Sequence, residues 1–295
     1  MTFRSGFACF VGRPNAGKST LTNALVGTKV AIASSKPQTT RHAIRGIVNR
    51  PDAQLVLVDT PGLHKPRTLL GQRLNDIVRT TWSEVDVVAF CVPADQPVGR
   101  GDQFIATELS ALRTPVIAVV TKEDLVRDKQ RMGEQLLAVS RLGDWAEVVP
   151  CSAVTRKQVD LLADLLVQRL PEGDPLYPEG ELTDEPELVM AGELIREAAL
   201  EGVRDELPHS LAVVVEEMVP RESGDLVDVH ATLFVERDSQ KAIVIGTGGE
   251  RLRDVGTRAR VQIENLLGTR VYLDLRVKVA KDWQRDPKQL RRLGF

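Results

Sequence analysis

Four near-continuous apolar runs, GFACFVG (6–12), LVLVDT (55–60), VDVVAFCV (85–92) and PVIAVV (115–120), mark the first part of the chain. Such runs leave no polar face for water, so they fit strands of a parallel sheet covered on both sides. Helical patterns at 19–27, 69–82, 100–113 and 159–170 alternate with them. That alternation predicts an α/β doubly wound sheet. AIRGIV (43–48) and QLVLVD (54–59) flank the short turn Asn49-Arg50-Pro51-Asp52. No crossover helix fits there, so this pair is expected to be an antiparallel hairpin in an otherwise parallel, six-stranded sheet. The first domain is taken as residues 1–171.

The stretch PEGDPLYPEGELTDEPE (171–187) is rich in Pro, Gly and acid and reads as a linker over 172–190. The rest, 191–295, reads as an α+β domain. A helix over 191–207 stops at Pro208, and strand patterns follow at 210–219, 227–237 and 241–246. An amphipathic helix over 250–267 comes next, with Gly256 as a candidate break, and then an alternating strand over 270–279.

Charge is unevenly spread. Between Glu172 and Glu193 there are eight acidic residues and no basic ones, whereas 237–295 holds 14 Lys and Arg against 7 Asp and Glu. A basic block suggests a polyanion partner; the plain alternative is a solvated surface. No apolar run approaches the ~18 residues that span a bilayer, and the N-terminus has no signal-peptide pattern. The expected location is the cytoplasm. Cys9, Cys91 and Cys151 are scattered and read as small buried hydrophobes.

GRPNAGKS (12–19) fits GxxxxGK[ST] between a strand and a helix, the context that a phosphate-binding P-loop requires. Gly12, Arg13, Pro14, Asn15, Ala16 and Gly17 are expected to line the phosphates, with Gly12 and Gly17 letting backbone N–H groups turn toward them. Lys18 would reach the β- and γ-phosphates and Ser19 would ligate Mg2+. DTPGL (59–63) follows another strand. Asp59 is expected to hold Mg2+ through water and the Gly62 N–H to meet the γ-phosphate, with Thr60, Pro61 and Leu63 in the same loop. The polar loop SKPQTTRHAI (35–44) is a suitable first switch, with Thr40 as the second hydroxyl on Mg2+ and Thr39 as the alternative. Lys18, Thr40, Gly62 and Asn15 are the candidate catalytic groups. Many GTPases carry a water-orienting Gln where this chain has Leu63, which cannot do that work. Arg41 is the nearest candidate for an arginine finger.

TKED (121–124) decides the base. An Asp at the carboxyl end of a strand can accept from guanine's ring N–H and amine, a donor pair adenine lacks; Asp124 is that residue. Lys122 can lie along the base, Glu123 lies between them, and Thr121 stands where the usual pattern has Asn. Ser152 and Ala153 in CSA (151–153) add a backbone N–H near the base. GTP and GDP are therefore the expected ligands. Near the other end, GTGG (246–249) forms a second glycine-rich turn before a helix, without the Lys-Ser pair of a P-loop.

With these motifs in place, the chain resembles the Era family of bacterial GTPases. The resemblance rests on GRPNAGKSTL, KPQTTRH, DTPGLHKP, TKED, CSA, TDEPE, ELIRE, ELPHS, FVERDSQKAIVIG, GERLRDVGTRAR and VYLDLRVKVAKDW. It departs from the family pattern at Thr121 and Thr247. It implies a C-terminal type II KH domain whose GxxG loop, Gly246, Thr247, Gly248 and Gly249, clamps single-stranded RNA. Arg251, Arg253, Arg258 and Arg260 would then make phosphate or base contacts. The implied partners are the 3′ end of 16S rRNA and the 30S subunit, with the protein itself a monomer. The resemblance also makes Asn15 a candidate ligand for K+. Two other readings compete. One is a membrane- or division-linked GTPase whose basic tail (282–295) makes weak peripheral membrane contact. The other is a P-loop ATPase or kinase, against which Asp124 argues.

Overall fold

The computed structural model describes residues 2–34, 39–203, 207–222 and 224–295. They form two compact units, the first of residues 1–33, 40–65 and 73–184, the second of residues 34–39, 66–72 and 185–295.

The first unit holds a six-stranded sheet in the order β2-β3-β1-β4-β5-β6. Its strands are β1 (Arg4–Val11), β2 (Ile44–Asn49), β3 (Ala53–Asp59), β4 (Val87–Pro93), β5 (Val116–Thr121) and β6 (Glu147–Pro150). All neighbours are parallel except β2 and β3, the expected hairpin. The helices are α1 (Lys18–Val26), α2 (Leu69–Glu84), α3 (Arg100–Leu109), α4 (Lys129–Ser140) and α5 (Val159–Val167). Alternate residues of each strand feed opposite cores. Phe10, Leu57 and Ala89 pack with Leu21 of α1 and Leu162 and Leu166 of α5. Val11, Val58 and Phe90 pack with Val78 of α2, Ile105 of α3 and Val139 of α4. Each fully buried aliphatic side chain contributes about 1.5–3 kcal/mol. This burial fixes the sheet whose carboxyl edge carries the motif loops. The three cysteines are buried free thiols, and burial raises Cys91 and Cys151 to about 12.

Of the segment expected to link the units, residues 172–184 group with the first. They run beside β2: Ile47 N donates to Leu182 O at 2.8 Å, the Thr183 hydroxyl donates to Arg45 O at 2.7 Å, and Arg45 pairs with Asp184 at 2.9 Å. The acidic run thereby covers a sheet edge that would otherwise expose unpaired backbone groups.

The second unit contains α6 (Glu187–Leu200), α7 (Leu207–Ser210), β7 (Ala212–Pro220), β8 (Leu226–Val235), α8 (Asp238–Ile245), α9 (Glu250–Leu267), β9 (Arg270–Val279) and α10 (Pro287–Arg292). Its sheet runs β7-β8-β9, antiparallel then parallel. Three expectations are corrected here. The run at 241–246 is helix α8, not a strand. The Gln240 side chain accepts from the backbone N–H groups of Glu236 and Arg237 at 2.9 and 3.1 Å, which caps the first turn. Gly246, at φ 73°, ends the helix; capping and the burial of Val244 outweigh the strand preference of Ile243 and Ile245. Gly256 does not break α9, and a Cβ there would meet Leu275 at an ordinary 3.5 Å. The helix expected over 191–207 begins earlier and ends at Leu200; residues 204–206 lie outside the described residues.

The basic tail is also folded rather than free. Trp283 is completely buried, its indole N–H donates to Ser210 O at 3.0 Å, and its ring stacks on Phe295 with centroids 5.6 Å apart. Leu290 and Leu293 are buried behind it. Trp283→Ala is expected to cost about 3–5 kcal/mol in denaturant unfolding. A solvated tail would lose no more than ~0.5 kcal/mol, and a change that small would contradict the packing.

Candidate functional site

Gly12 follows the end of β1, and a Cβ there would lie 2.6 Å from Cys91 O, so only glycine lets the loop turn there. Asn15 and Gly17 have φ of 63° and 87°, which aims successive N–H groups inward. Gly17 opens α1, whose helix start favours anions. Lys18 is buried, with Nζ donating to the Gly12 and Arg13 carbonyls at 3.3 Å each. Burial pushes its pKa down, and the Asp59 charge opposes that shift.

Beside it, three oxygens converge. The Ser19 hydroxyl donates to Asp59 Oδ2 at 2.6 Å and lies 2.9 Å from the Thr40 hydroxyl, which donates to the same Oδ2 at 3.1 Å. Of the two switch threonines, Thr40 is the one that joins this cluster; the Thr39 hydroxyl donates to Ser34 O instead. Residues 35–38 of that loop lie outside the described residues. Asp59 is fully buried and its Oδ1 has no hydrogen-bond partner. Burial pushes the carboxyl pKa up, against the pull of Lys18, Ser19 and Thr40. Two hydroxyls and a carboxylate with a spare oxygen fit a hard divalent cation such as Mg2+.

Gly62 lies against this loop: a Cβ there would meet Pro14 backbone atoms at 2.8 Å. The Leu63 N–H donates to Gly12 O at 3.2 Å, and its side chain is buried in the apolar cluster of α2, α3 and α4. The Thr60 hydroxyl donates to Phe10 O at 2.7 Å and so braces the loop. Arg41 is completely buried.

At the end of β5, the Thr121 hydroxyl donates to Ala16 O at 2.6 Å. The residue that departs from the usual Asn thus ties the base loop to the phosphate loop. Lys122, at φ 57°, turns the chain into a short 3-10 turn. Asp124 Oδ1 accepts from the Ser152 hydroxyl at 2.6 Å, which orients the carboxylate. Glu123 N–H donates to Cys151 O at 3.3 Å, and Glu123 pairs with Lys157 at 2.5 Å, which joins TKED to the loop holding Ser152 and Ala153.

In the second unit, Gly246, Thr247, Gly248 and Gly249 connect α8 to α9, with all three glycines at positive φ. A Cβ at Gly246 would meet Arg251 Cβ at 2.7 Å. A groove of ≈ 360 Å³ runs from Gly249 between α9 and β9. Leu252, Val271 and Leu275 give it apolar lining, and Arg253 and Arg260 line it with charge. The four arginines expected to act together divide. Arg251 donates to Ala199 O and Glu201 O at 3.2 and 2.8 Å and so caps the end of α6. Arg258 pairs with Asp254 at 2.7 Å and with Glu201.

Residues 7–122 match the family model for 50S ribosome-binding GTPases, and residues 206–284 match the KH domain. GTPase Era of Streptomyces coelicolor is 70% identical over 99% of this chain and 95% of its own. GTPase Era of Mycolicibacterium smegmatis is 68% identical over 99% of both chains. The chain belongs to the Era family of GTPases. A crystal structure of Era in complex with MgGDPNP and nucleotides 1506–1542 of 16S ribosomal RNA superposes with a TM-score of 0.96 at 36% identity, over 99% of both chains.

Sequence reading missed two features around these family motifs. Asp102 meets Arg13 at 3.1 Å, and Tyr272, half exposed, lines the glycine groove with the Arg221 guanidinium 5.5 Å from its ring centroid. An exposed aromatic in an alternating strand was a signal for Tyr272; Asp102 had none.

The Thr121 tether yields a test. Thr121→Val leaves the buried Ala16 carbonyl without its donor, a cost of about 1–3 kcal/mol, and titration with fluorescent GDP should show roughly tenfold weaker binding. Thr121→Asn should retain affinity. Unchanged binding by the Val variant would show the tether to be idle.

Proposed function

We propose that this chain is a GTP-hydrolysing switch that binds the 3′ end of 16S rRNA and assists assembly of the 30S ribosomal subunit in the cytoplasm. The observation that carries it is the presence in one chain of a guanine-reading P-loop site and a glycine-turn groove lined by Arg253 and Arg260. The Era relative crystallised with MgGDPNP and 16S rRNA nucleotides supports the same pairing.

At the nucleotide, Asp124 accepts from guanine while Ser152 holds its carboxylate. Gly12 to Ser19 wrap the phosphates, and Lys18 leaves its carbonyl partners for the β- and γ-phosphate oxygens. Ser19, Thr40 and Asp59 would hold Mg2+, which neutralises charge on those oxygens. Hydrolysis transfers the γ-phosphoryl group to water, with GDP as the leaving group. The Gly62 N–H is placed to meet the γ-phosphate, so cleavage removes what orders its loop and the Thr40 loop. In the second unit, the GTGG turn lets an RNA backbone approach the start of α9, while Arg253 and Arg260 neutralise phosphates. The relatives named above lend the membrane reading no support, and no helix among the described residues is long and apolar enough to cross a membrane.

The RNA contact is tested with Gly249, which sits at φ 79°. Asn and Asp are the side chains that most readily enter that conformation and are close in shape, so the pair differs chiefly in charge. Gly249→Asp should bind a 16S 3′-end oligonucleotide roughly tenfold more weakly than Gly249→Asn, and GTP hydrolysis without RNA should match in the two. Equal RNA affinity would make the turn structural.

We also propose that K+ serves the reaction through Asn15. Leu63 is committed to the core, so it offsets no charge on the leaving oxygen. The Asn15 side-chain oxygen, on the loop's turn, could hold a monovalent cation there. Hydrolysis should run faster in KCl than in NaCl at equal ionic strength, and Asn15→Gly, which keeps the positive φ and removes the amide, should erase the difference. Equal rates in the two salts with the native protein would exclude the cation.

A further inference from the structure

We infer that Asp102 is a positioning residue for the phosphate loop, acting through Arg13; the inference rests on the guanine-nucleotide reading of that loop. Asp102 is the third residue of α3 and is completely buried. Its Oδ2 accepts from the Gly99 N–H at 2.9 Å, which closes the start of the helix. The helix start stabilises its negative charge. That leaves Oδ1 directed at Nε of Arg13, 3.1 Å away. Neither Nε nor Nη2 of Arg13 makes an aligned hydrogen bond, so the contact is held by charge more than by direction.

Arg13 is no ordinary surface arginine. Its own carbonyl accepts from Lys18 Nζ at 3.3 Å and from the Ala16 N–H at 3.3 Å. The peptide that follows Arg13 therefore sets both the curvature of the loop and the place from which Lys18 reaches phosphate. An arginine side chain anchored at one end fixes that peptide at the other. The anchor also withholds a cation: a free guanidinium on this loop would be drawn to the phosphates and would bend the loop toward them.

The segment that carries Asp102 is itself braced. Gln135 donates to Pro93 O and Gln96 O at 3.1 and 2.9 Å, Arg131 donates to Asp95 O at 3.1 Å, and the Ala94 N–H donates to Thr121 O at 2.7 Å. Asp95 lies 3.9 Å from the ammonium of Lys122, the residue set to lie along the base. Residues 93–102 thus form a strap whose two carboxylates face the two halves of the nucleotide site, and Asp102 is the buried one.

The test uses Asp102→Asn in the full-length chain. The amide oxygen still accepts from Gly99, so the helix cap remains and the charge is lost. Titration with fluorescent GDP and GTP should show affinities about tenfold weaker than native. GMP, which has no β- or γ-phosphate for Lys18, should bind as it does to the native chain. Arg13→Gln should give the same pattern, and the double variant should lose no more than either single one. Equal losses for GMP, GDP and GTP would mark a general structural defect and overturn the inference, as would native GDP affinity in either variant. Should Asp102→Asn fail to fold, the Arg13→Gln variant decides alone. Failure of the native chain to bind GDP would instead overturn the nucleotide reading.

Discussion

The first unit buries a lysine and an aspartate at the edge of a parallel sheet, and most of the site follows from the cost of doing so. Removing two charges from water costs several kcal/mol per ion after relaxation. Lys18 offsets part of it with the Gly12 and Arg13 carbonyls, and Asp59 with the Ser19 and Thr40 hydroxyls. Both compensations are incomplete, because Asp59 keeps a buried oxygen without a donor and burial still pulls the Lys18 pKa down. A polyphosphate with a divalent cation supplies what each lacks, anionic oxygens for the ammonium and a cation for the carboxylate. The ligand class is thus written into an electrostatic deficit that the fold alone leaves open.

The fold must be rigid for that deficit to persist. Strands buried on both faces hold β1, β3 and β5 in register, so their carboxyl ends deliver Gly12, Asp59 and Thr121 to one edge. The cross-braces then run between loops rather than through the sheet. Thr121 holds Ala16, Leu63 holds Gly12, Ser152 holds Asp124, and Asp102 holds Arg13. A threonine suffices at position 121 because the contact requires one donor toward one carbonyl, which a hydroxyl supplies as well as an amide.

These levels differ in how far the sequence exposes them. Apolar runs and motif spacing are local, so the strands, the P-loop and the base loop are legible in the order of residues alone. The run at 241–246 misleads because β-branched residues prefer strands, and a single capping glutamine at the third position of the helix reverses the outcome. The arginines of α9 look alike in sequence, yet Arg251 and Arg258 are taken by the end of α6, whereas Arg253 and Arg260 line the groove. No periodicity could separate them, because the acceptors are backbone carbonyls and Glu201 some fifty residues away. Arg13 and Asp102 escape for the same reason. Each is plausible alone as a solvated charge, and only the fold brings them together.

Leu63 shows what this arrangement means for rate. A side chain at that position can orient water only if it faces the phosphates, and here it fills the cluster beneath α2, α3 and α4. Packing has therefore claimed the place from which many GTPases accelerate hydrolysis. On the proposed reading, the loop N–H groups and Lys18 would then carry the positioning and the charge at the transition state. For the switch proposed above, linkage requires that whatever strengthens RNA binding in the GTP state strengthens GTP binding equally. The packing of one leucine removes one handle on the rate, and the cation proposed at Asn15 is a means by which it could still be set from outside the chain.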